Sequence, residues 1–186
     1  LVDPLAGLDL DRLFALLSDR RLLLHGADYD LRLLSRGYGF RPREIFDTMV
    51  AAQLLGLKEI GLAALLSQRL GVTLDKSSQR ADWSRRPLSP TLVAYAASDV
   101  LHLHALVASL EADLAARGRT AWHAEECARL LAQDLSPAPE DPETDWRIKG
   151  SNGLAPKERA FLRELWHARE ERARALDLPP FRVLHN

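Results

Sequence analysis

Apolar residues recur every three or four positions over most of this chain, the period of an amphipathic helix. Helices are predicted to begin near Asp9, Asp28, Asp47, Ile60, Thr91, Thr120 and Ala155. Two short apolar runs, residues 21–26 (RLLLHG) and 44–46 (EIF), predict buried strands, and the opening LVDP reads as the end of another strand. The chain is therefore predicted to be α/β and mostly helical.

The longest helical pattern, from about Thr91 to Arg117, carries a carboxylate on its apolar face. Its apolar stripe is formed by Leu92, Ala96, Leu103, Leu106 and Leu110. Asp99 falls on this stripe, and Tyr95 lies one turn before it. A lone carboxylate there is desolvated unless it is paired, hydrogen-bonded or bound to a cation.

Asp30 has a similar position in a second helix, directly after the buried run 21–26. A carboxylate in a first helical turn also interacts favourably with the helix dipole, so both interpretations stay open for Asp30 alone. Asp99, in the third turn of its helix, has no such explanation. Two inward-facing carboxylates from different helices near a strand end are a common way to assemble a magnesium or manganese site.

Several short segments resemble, in order and in wording, the ribonuclease D family of DEDDy-type 3′–5′ exonucleases. They are HGADYDLRLL, LDKS, DW, RPL and YAASD, within about the first 115 residues. The family's second exonuclease motif matches at Asp30, and its third motif, Tyr-x-x-x-Asp, matches at Tyr95 and Asp99. The resemblance implies a ribonuclease H-like (DnaQ-like) exonuclease fold that lacks its first strands in this chain.

The resemblance also implies two divalent ions, Mg²⁺ or Mn²⁺, with Asp30 and Asp99 among their ligands. Tyr95 would orient the attacking water, since a phenol with a pKa near 10 is a poor general base at neutral pH. Lys76 and Arg80 would contact the phosphates of the substrate. The alternative for these two cations is a solvated loop.

The family's first motif, Asp-x-Glu on an early strand, is missing, and Asp3 does not replace it. We therefore expect the chain to be a piece of a longer protein, to bind metal poorly by itself and to be inactive by itself.

Residues 1–135 are predicted to be a partial exonuclease domain. Residues 136–150 follow as a linker, because residues 136–145 contain three prolines and four acids and no basic residue. Residues 151–186 resemble the start of the all-helical domain shared by RecQ-type helicases and ribonuclease D (HRDC), a nucleic-acid-binding domain.

Composition narrows the class of protein further. The single cysteine, Cys127, excludes a disulfide framework and a thiolate zinc cluster, which favours a cytoplasmic location. The spacing of the histidines does not suit zinc either. A net charge of −1 gives no overall preference for nucleic acid, and no apolar run is expected to span a membrane.

The leading hypothesis is a metal-dependent 3′–5′ exoribonuclease that trims the 3′ ends of structured RNA, such as tRNA precursors. One alternative is a DNA 3′–5′ exonuclease of the same superfamily, since no residue here reads a 2′-hydroxyl. The other is a non-catalytic nucleic-acid-binding module.

Overall fold

The computed structural model describes residues 1–75, 77–79, 81–133, 135–136, 141 and 143–184. The chain divides into two compact units, Leu1–Ser136 and Pro137–Asn186. The described elements of the first unit are α1 (Asp11–Ser18), β1 (Arg21–Leu24), α2 (Asp28–Tyr38), β2 (Glu44–Asp47), α3 (Thr48–Leu54), α4 (Leu62–Leu70), α5 (Pro90–Leu101), α6 (Leu103–Ala116) and α7 (Thr120–Ala132).

The two strands are parallel, with Arg21 opposite Glu44 and Leu24 opposite Asp47. Their carboxyl ends therefore meet at one edge of the sheet, where α2 and α3 begin. The predicted strand at LVDP is wrong. Pro4–Ala6 form a single turn of 3₁₀ helix, because the Asp3 carboxylate accepts a hydrogen bond from the Leu5 N–H at 3.0 Å and Pro4 suits the first helical position.

Asp47 ends β2 and is buried, with 1% of its surface exposed. Its carboxylate caps α3, as its position in the sequence predicts, by accepting from the N–H groups of Met49 (2.8 Å) and Val50 (3.3 Å). The same carboxylate accepts from the N–H groups of Gly26 (3.0 Å) and Ala27 (2.7 Å), where α2 starts. One buried anion thus satisfies backbone donors at the start of two helices and joins the ends of the two strands.

The hydrophobic core lies on both faces of this small sheet, because neighbouring strand residues point in opposite directions. Phe46 packs into the larger cluster, whose other buried members come from α3, α4 and α6: Ala51, Ala52, Leu55, Leu65, Leu66, Leu106, Val107, Leu110 and Leu114. Ile45 packs into the smaller cluster with Ala27, Leu31, Cys127 and Leu135. Cys127 is thus a free cysteine buried in the core.

The single helix predicted from Thr91 to Arg117 is wrong, because the chain turns at His102 and forms α5 and α6 instead. Five apolar side chains of α6 are buried, whereas α5 has none, and Val100 and Leu101 are exposed. The turn lets α6 remain in the core while α5 leaves it. Asp99 is therefore half-buried beside a cleft and is not enclosed in the core.

The stretch Pro90–Ala116 is long and apolar enough, by length and composition alone, to cross a membrane, so the expectation that no run reaches this length is wrong. One such stretch is weak evidence for a span, since core helices of soluble proteins meet the same criterion.

The second unit contains α8 (Pro156–Leu176) and α9 (Pro180–Val183). Helix α8 starts with proline at its first position, and the Glu158 carboxylate accepts from the Ala155 N–H at 2.8 Å. Within the segment predicted to be a linker, Trp146 is buried, and its indole N–H donates to the Glu143 carbonyl at 2.8 Å.

Replacing Asp47 should destabilise the first unit by an amount that depends on the acceptors that remain. In Asp47→Asn, one acceptor oxygen is left and an amide N–H faces the Ala27 N–H. We therefore expect the free energy of unfolding to fall by about 2–3 kcal/mol. Asp47→Ala should cost more, since four donors lose their partner. Urea unfolding measures both values. The control is Asp19→Asn, which removes an exposed ion pair with Arg43 and should cost under about 1 kcal/mol. Equal effects of Asp47→Asn and Asp19→Asn would contradict this account of Asp47.

Candidate active-site cleft

A cleft of about 560 Å³ opens beside the carboxyl end of β1. Asp30 from α2 lines it, and so do Tyr95 and Asp99 from α5. The structure therefore brings together on one surface the three residues that the sequence singled out for catalysis. Asp30 and Tyr95 lie more than sixty positions apart in the chain.

Asp30 lies in the first turn of α2 and is half-buried. Burial raises the pKa of its carboxyl above the ordinary value, and the nearby Asp47 carboxylate raises it further. The N–H groups that open α2, those of Gly26 and Ala27, are bonded to Asp47. In the described part of the chain no donor hydrogen-bonds to the Asp30 carboxylate, so its negative charge is left for another partner.

Tyr95 and Asp99 lie one turn apart on α5, and both are half-buried. Burial raises the pKa of the Asp99 carboxyl. Burial also raises the pKa of the Tyr95 phenol, with further contributions from the Asp99 and Asp75 charges. The phenol is therefore protonated at neutral pH and can donate a hydrogen bond. If Tyr95 and Asp99 served only to satisfy each other's hydrogen-bonding groups, a hydrogen bond between their side chains would be expected. The described residues show no such bond.

The loop before α5, which contains Trp83 and Arg86, packs against Tyr95. The Trp83 ring packs against the phenol with 5.7 Å between ring centroids. Arg86 holds this loop by donating to both carboxylate oxygens of Asp3 at 2.6 Å and to the Trp83 carbonyl at 2.8 Å. The Arg86 guanidinium is thus engaged in hydrogen bonds within the protein.

The predicted phosphate contacts of Lys76 and Arg80 lie outside the described residues. Of the neighbouring cations, Arg86 is paired with Asp3, and Arg85 lies 3.5 Å from Asp82 with its side chain 84% exposed.

Three further polar residues of the cleft, His25, Asp75 and Gln79, were not assigned to it from the sequence. His25 directly follows the buried strand β1, and the carboxyl end of a parallel strand is a common position for functional groups. This position after β1 is the sequence feature that could have assigned His25 to the cleft. Asp75 is exposed, and its carboxylate accepts from the N–H and hydroxyl groups of Ser77 at 2.8 and 2.7 Å. No local pattern distinguishes it from a surface turn.

The donor chemistry of the cleft fits a divalent cation in part. Carboxylate oxygens are the ligands that Mg²⁺ prefers, and Asp30 and Asp99 offer them without a protein donor bound to them in the described regions. Among those regions, however, no group of three or more His, Cys, Asp or Glu side chains stands close enough together to hold an ion. The two carboxylates therefore supply part of a ligand set.

Comparison with known proteins decides the family. The family described as 3′–5′ exonuclease matches residues 1–115, well over half of the chain. The chain belongs to the 3′–5′ exonuclease family. Its fold is the ribonuclease H-like exonuclease fold predicted from the sequence, here mostly helical with a small parallel sheet.

Ribonuclease D from Nitrobacter hamburgensis is 39% identical over 189 residues, which cover 98% of this chain and 48% of that protein. The crystal structure of Escherichia coli RNase D superposes with a TM-score of 0.71 at 32% identity, covering 98% of this chain and 49% of that one. Brucella melitensis NrnC with bound Mg²⁺ superposes with a TM-score of 0.57 at 32% identity, covering 62% and 58%. The chain thus spans about half the length of the ribonuclease D relatives that it matches.

The carboxylate of Asp99 in this exonuclease domain should lower its stability. Because burial raises the pKa of Asp99 in the folded state, its ionisation opposes folding at every pH above that raised pKa, and the penalty disappears below the unfolded value of about 3.9. Asp99→Asn should therefore raise the melting temperature at pH 7 in EDTA, with the gain vanishing near pH 3. Thermal melts across this pH range measure it.

Asp28→Asn is the matched control, because the hydrogen bond to Arg32 lowers the pKa of Asp28 and gives the opposite sign. It should leave the melting temperature unchanged or lower it. A loss of stability in Asp99→Asn at pH 7 would show that the Asp99 carboxylate is satisfied within the fold.

Proposed function

We propose that the protein carrying this chain is a metal-dependent 3′–5′ exoribonuclease of the ribonuclease D type. The observation that carries the proposal is the convergence of Asp30, Tyr95 and Asp99 on one cleft. These residues fall in the order of the family's second and third exonuclease motifs. The similarity to ribonuclease D over nearly the whole chain supports the same activity.

Asp30 and Asp99 are the proposed metal ligands, with Mg²⁺ or Mn²⁺ as the ion. When bound, such an ion neutralises the scissile phosphate and activates water for attack. Asp99, whose carboxylate has no protein donor in the described residues, would hold the water-activating ion directly, and Asp30 would help to hold the second ion, directly or through water. Tyr95 stays protonated and holds the attacking water by a hydrogen bond. The Mg²⁺ in the NrnC structure supports the choice of ion.

Structured RNA is the proposed substrate, with tRNA precursors as one example. The E. coli relative is described as an exoribonuclease involved in structured RNA processing, and NrnC has also been solved bound to pGG. Residues 151–186 are proposed to be the start of an HRDC domain that adds contacts to RNA. From Trp146 onward the sequence has nine Lys and Arg residues against five acids. A cytoplasmic location goes with this role.

DNA 3′–5′ exonuclease activity of the same superfamily is the second candidate. A paired assay on RNA and DNA of the same sequence separates the two. Degradation of DNA alone would replace the exoribonuclease proposal.

In the native protein that carries this sequence, Asp99→Asn should abolish Mg²⁺- or Mn²⁺-dependent release of nucleotides from RNA 3′ ends. Asn keeps the shape of the side chain and removes the charge. Tyr95→Phe should leave metal affinity unchanged and slow turnover by about 10²- to 10³-fold, since it removes one hydrogen bond to the reacting water. Calorimetric metal titration and gel assays of 3′-end trimming measure the two effects.

Tyr38→Phe is the control, because Tyr38 is an exposed phenol at the end of α2 that packs on Phe14. It should trim RNA at the wild-type rate. Full activity of Tyr95→Phe would reduce that phenol to a packing role. A native protein that degrades neither RNA nor DNA with either metal would favour the non-catalytic binding module.

A further inference from the structure

His25 lines the same cleft, and the mechanism above gives it no role. It is the first residue after β1, next to Gly26, whose φ of +73° lies in the left-handed region. The left-handed conformation of Gly26 turns the chain from β1 into α2. The ring of His25 is therefore held between the buried edge of the sheet and the open cleft.

Thr48 fixes which ring nitrogen of His25 carries the proton. The Thr48 hydroxyl lies 2.9 Å from His25 Nδ1 and 3.1 Å from the Leu24 carbonyl. A hydroxyl has one proton to donate, and Thr48 is fully buried. If the hydroxyl donates to the Leu24 carbonyl and accepts from an Nδ1–H, both bonds form. If it donates to Nδ1, the Leu24 carbonyl loses this donor. The first arrangement is favoured, and it leaves Nε2 without a proton.

Nε2 is open to a ligand. Across the described residues, no protein group is hydrogen-bonded to it, and it is not among the polar atoms sealed from solvent without a partner. Since Nδ1 is bonded to the buried Thr48, Nε2 lies on the opposite side of a ring that lines the cleft. The cleft therefore has one uncharged acceptor nitrogen in addition to its carboxylates.

An uncharged acceptor nitrogen such as His25 Nε2 binds a different kind of ligand group from the one that a carboxylate binds. Burial lowers the pKa of His25 although the nearby Asp47 charge opposes this, which favours the neutral ring. A lone pair on nitrogen cannot bind a phosphate oxygen, which is itself an acceptor. It can bind an O–H or N–H group, and a nucleoside next to the scissile phosphate carries both kinds.

We propose that His25 contacts the nucleoside at the cleft, with Nε2 accepting a hydrogen bond from a ribose hydroxyl or a base amino group. This inference rests on the proposed function. It makes His25 a substrate-positioning residue and leaves the chemistry to Asp30, Tyr95 and Asp99. Thr48 is then the residue that sets the tautomer.

Two substitutions separate the two nitrogens of His25. In His25→Asn, the side-chain amide reaches the position of Nδ1, keeps the bond to Thr48 and offers nothing at Nε2. In His25→Gln, the amide reaches the position of Nε2 and restores an acceptor. We expect His25→Asn to melt like the wild type and to bind cytidine 5′-monophosphate with Mg²⁺ about fivefold more weakly, and His25→Gln to recover the affinity. Wild-type affinity in a stable His25→Asn variant would overturn the proposal.

Nitrogen NMR of the imidazoles in the native protein that carries this sequence tests it directly. The free protein should show a protonated Nδ1 and an unprotonated Nε2 at His25, and cytidine 5′-monophosphate with Mg²⁺ should shift the Nε2 resonance. If the 2′- or 3′-deoxy nucleotide fails to shift it, the donor is a ribose hydroxyl. If uridine 5′-monophosphate fails, the donor is the base amino group.

A protonated Nε2 in the free protein would overturn the inference. So would an unmoved Nε2 when the amide signals of Tyr95 and Asp99 shift, and the proposed function would then stand. If no signal of the cleft responds to any nucleotide, the inference and the proposed function both fail.

Discussion

The buried carboxylate of Asp47 is the interaction on which the first unit depends. It accepts hydrogen bonds from Gly26 and Ala27 at the start of α2 and from Met49 and Val50 at the start of α3. The backbone carbonyl of the same residue lies 3.1 Å from His123 Nε2, which connects α7 to the end of β2. Without this carboxylate, the starts of α2 and α3 at the ends of the two strands would lose their common acceptor.

This arrangement has an electrostatic consequence for the cleft. The N–H groups that would otherwise favour an anion at the start of α2 are already bonded to Asp47, and its charge raises the pKa of Asp30. Asp75 and Asp99 add further negative charge to the cleft. The ionised carboxylates of Asp30 and Asp99, whose pKa values are raised by burial, therefore oppose the stability of the fold. A bound divalent cation would compensate for this cost, and this is the physical argument for a metal-dependent site.

Local patterns in the sequence predicted those parts of the fold whose causes are local. The buried runs at β1 and β2 and the capping of α3 by Asp47 follow from apolar content and from a carboxylate before a helix. The turn at His102 does not, because the apolar stripe continues through it, whereas in the structure α6 packs against α3, α4, α7 and β1 and α5 does not follow it into the core. The second pair of bonds made by Asp47 depends on strand register, which no local pattern contains. The helical pattern singled out Asp30, Tyr95 and Asp99, and the resemblance to a known family gave them roles. His25 was assigned to the cleft by the structure, which also shows its contact with Thr48.

The central claim is that Asp30 and Asp99 bind one catalytic metal centre beside Tyr95. The most direct measurement is anomalous diffraction from crystals of the native protein grown with Mn²⁺ and a nucleoside 5′-monophosphate. The account predicts a manganese peak within about 2.5 Å of an Asp99 carboxylate oxygen and within about 5 Å of Asp30, in reach of one bridging water. A well-ordered nucleotide in the cleft with no manganese near either carboxylate would contradict it.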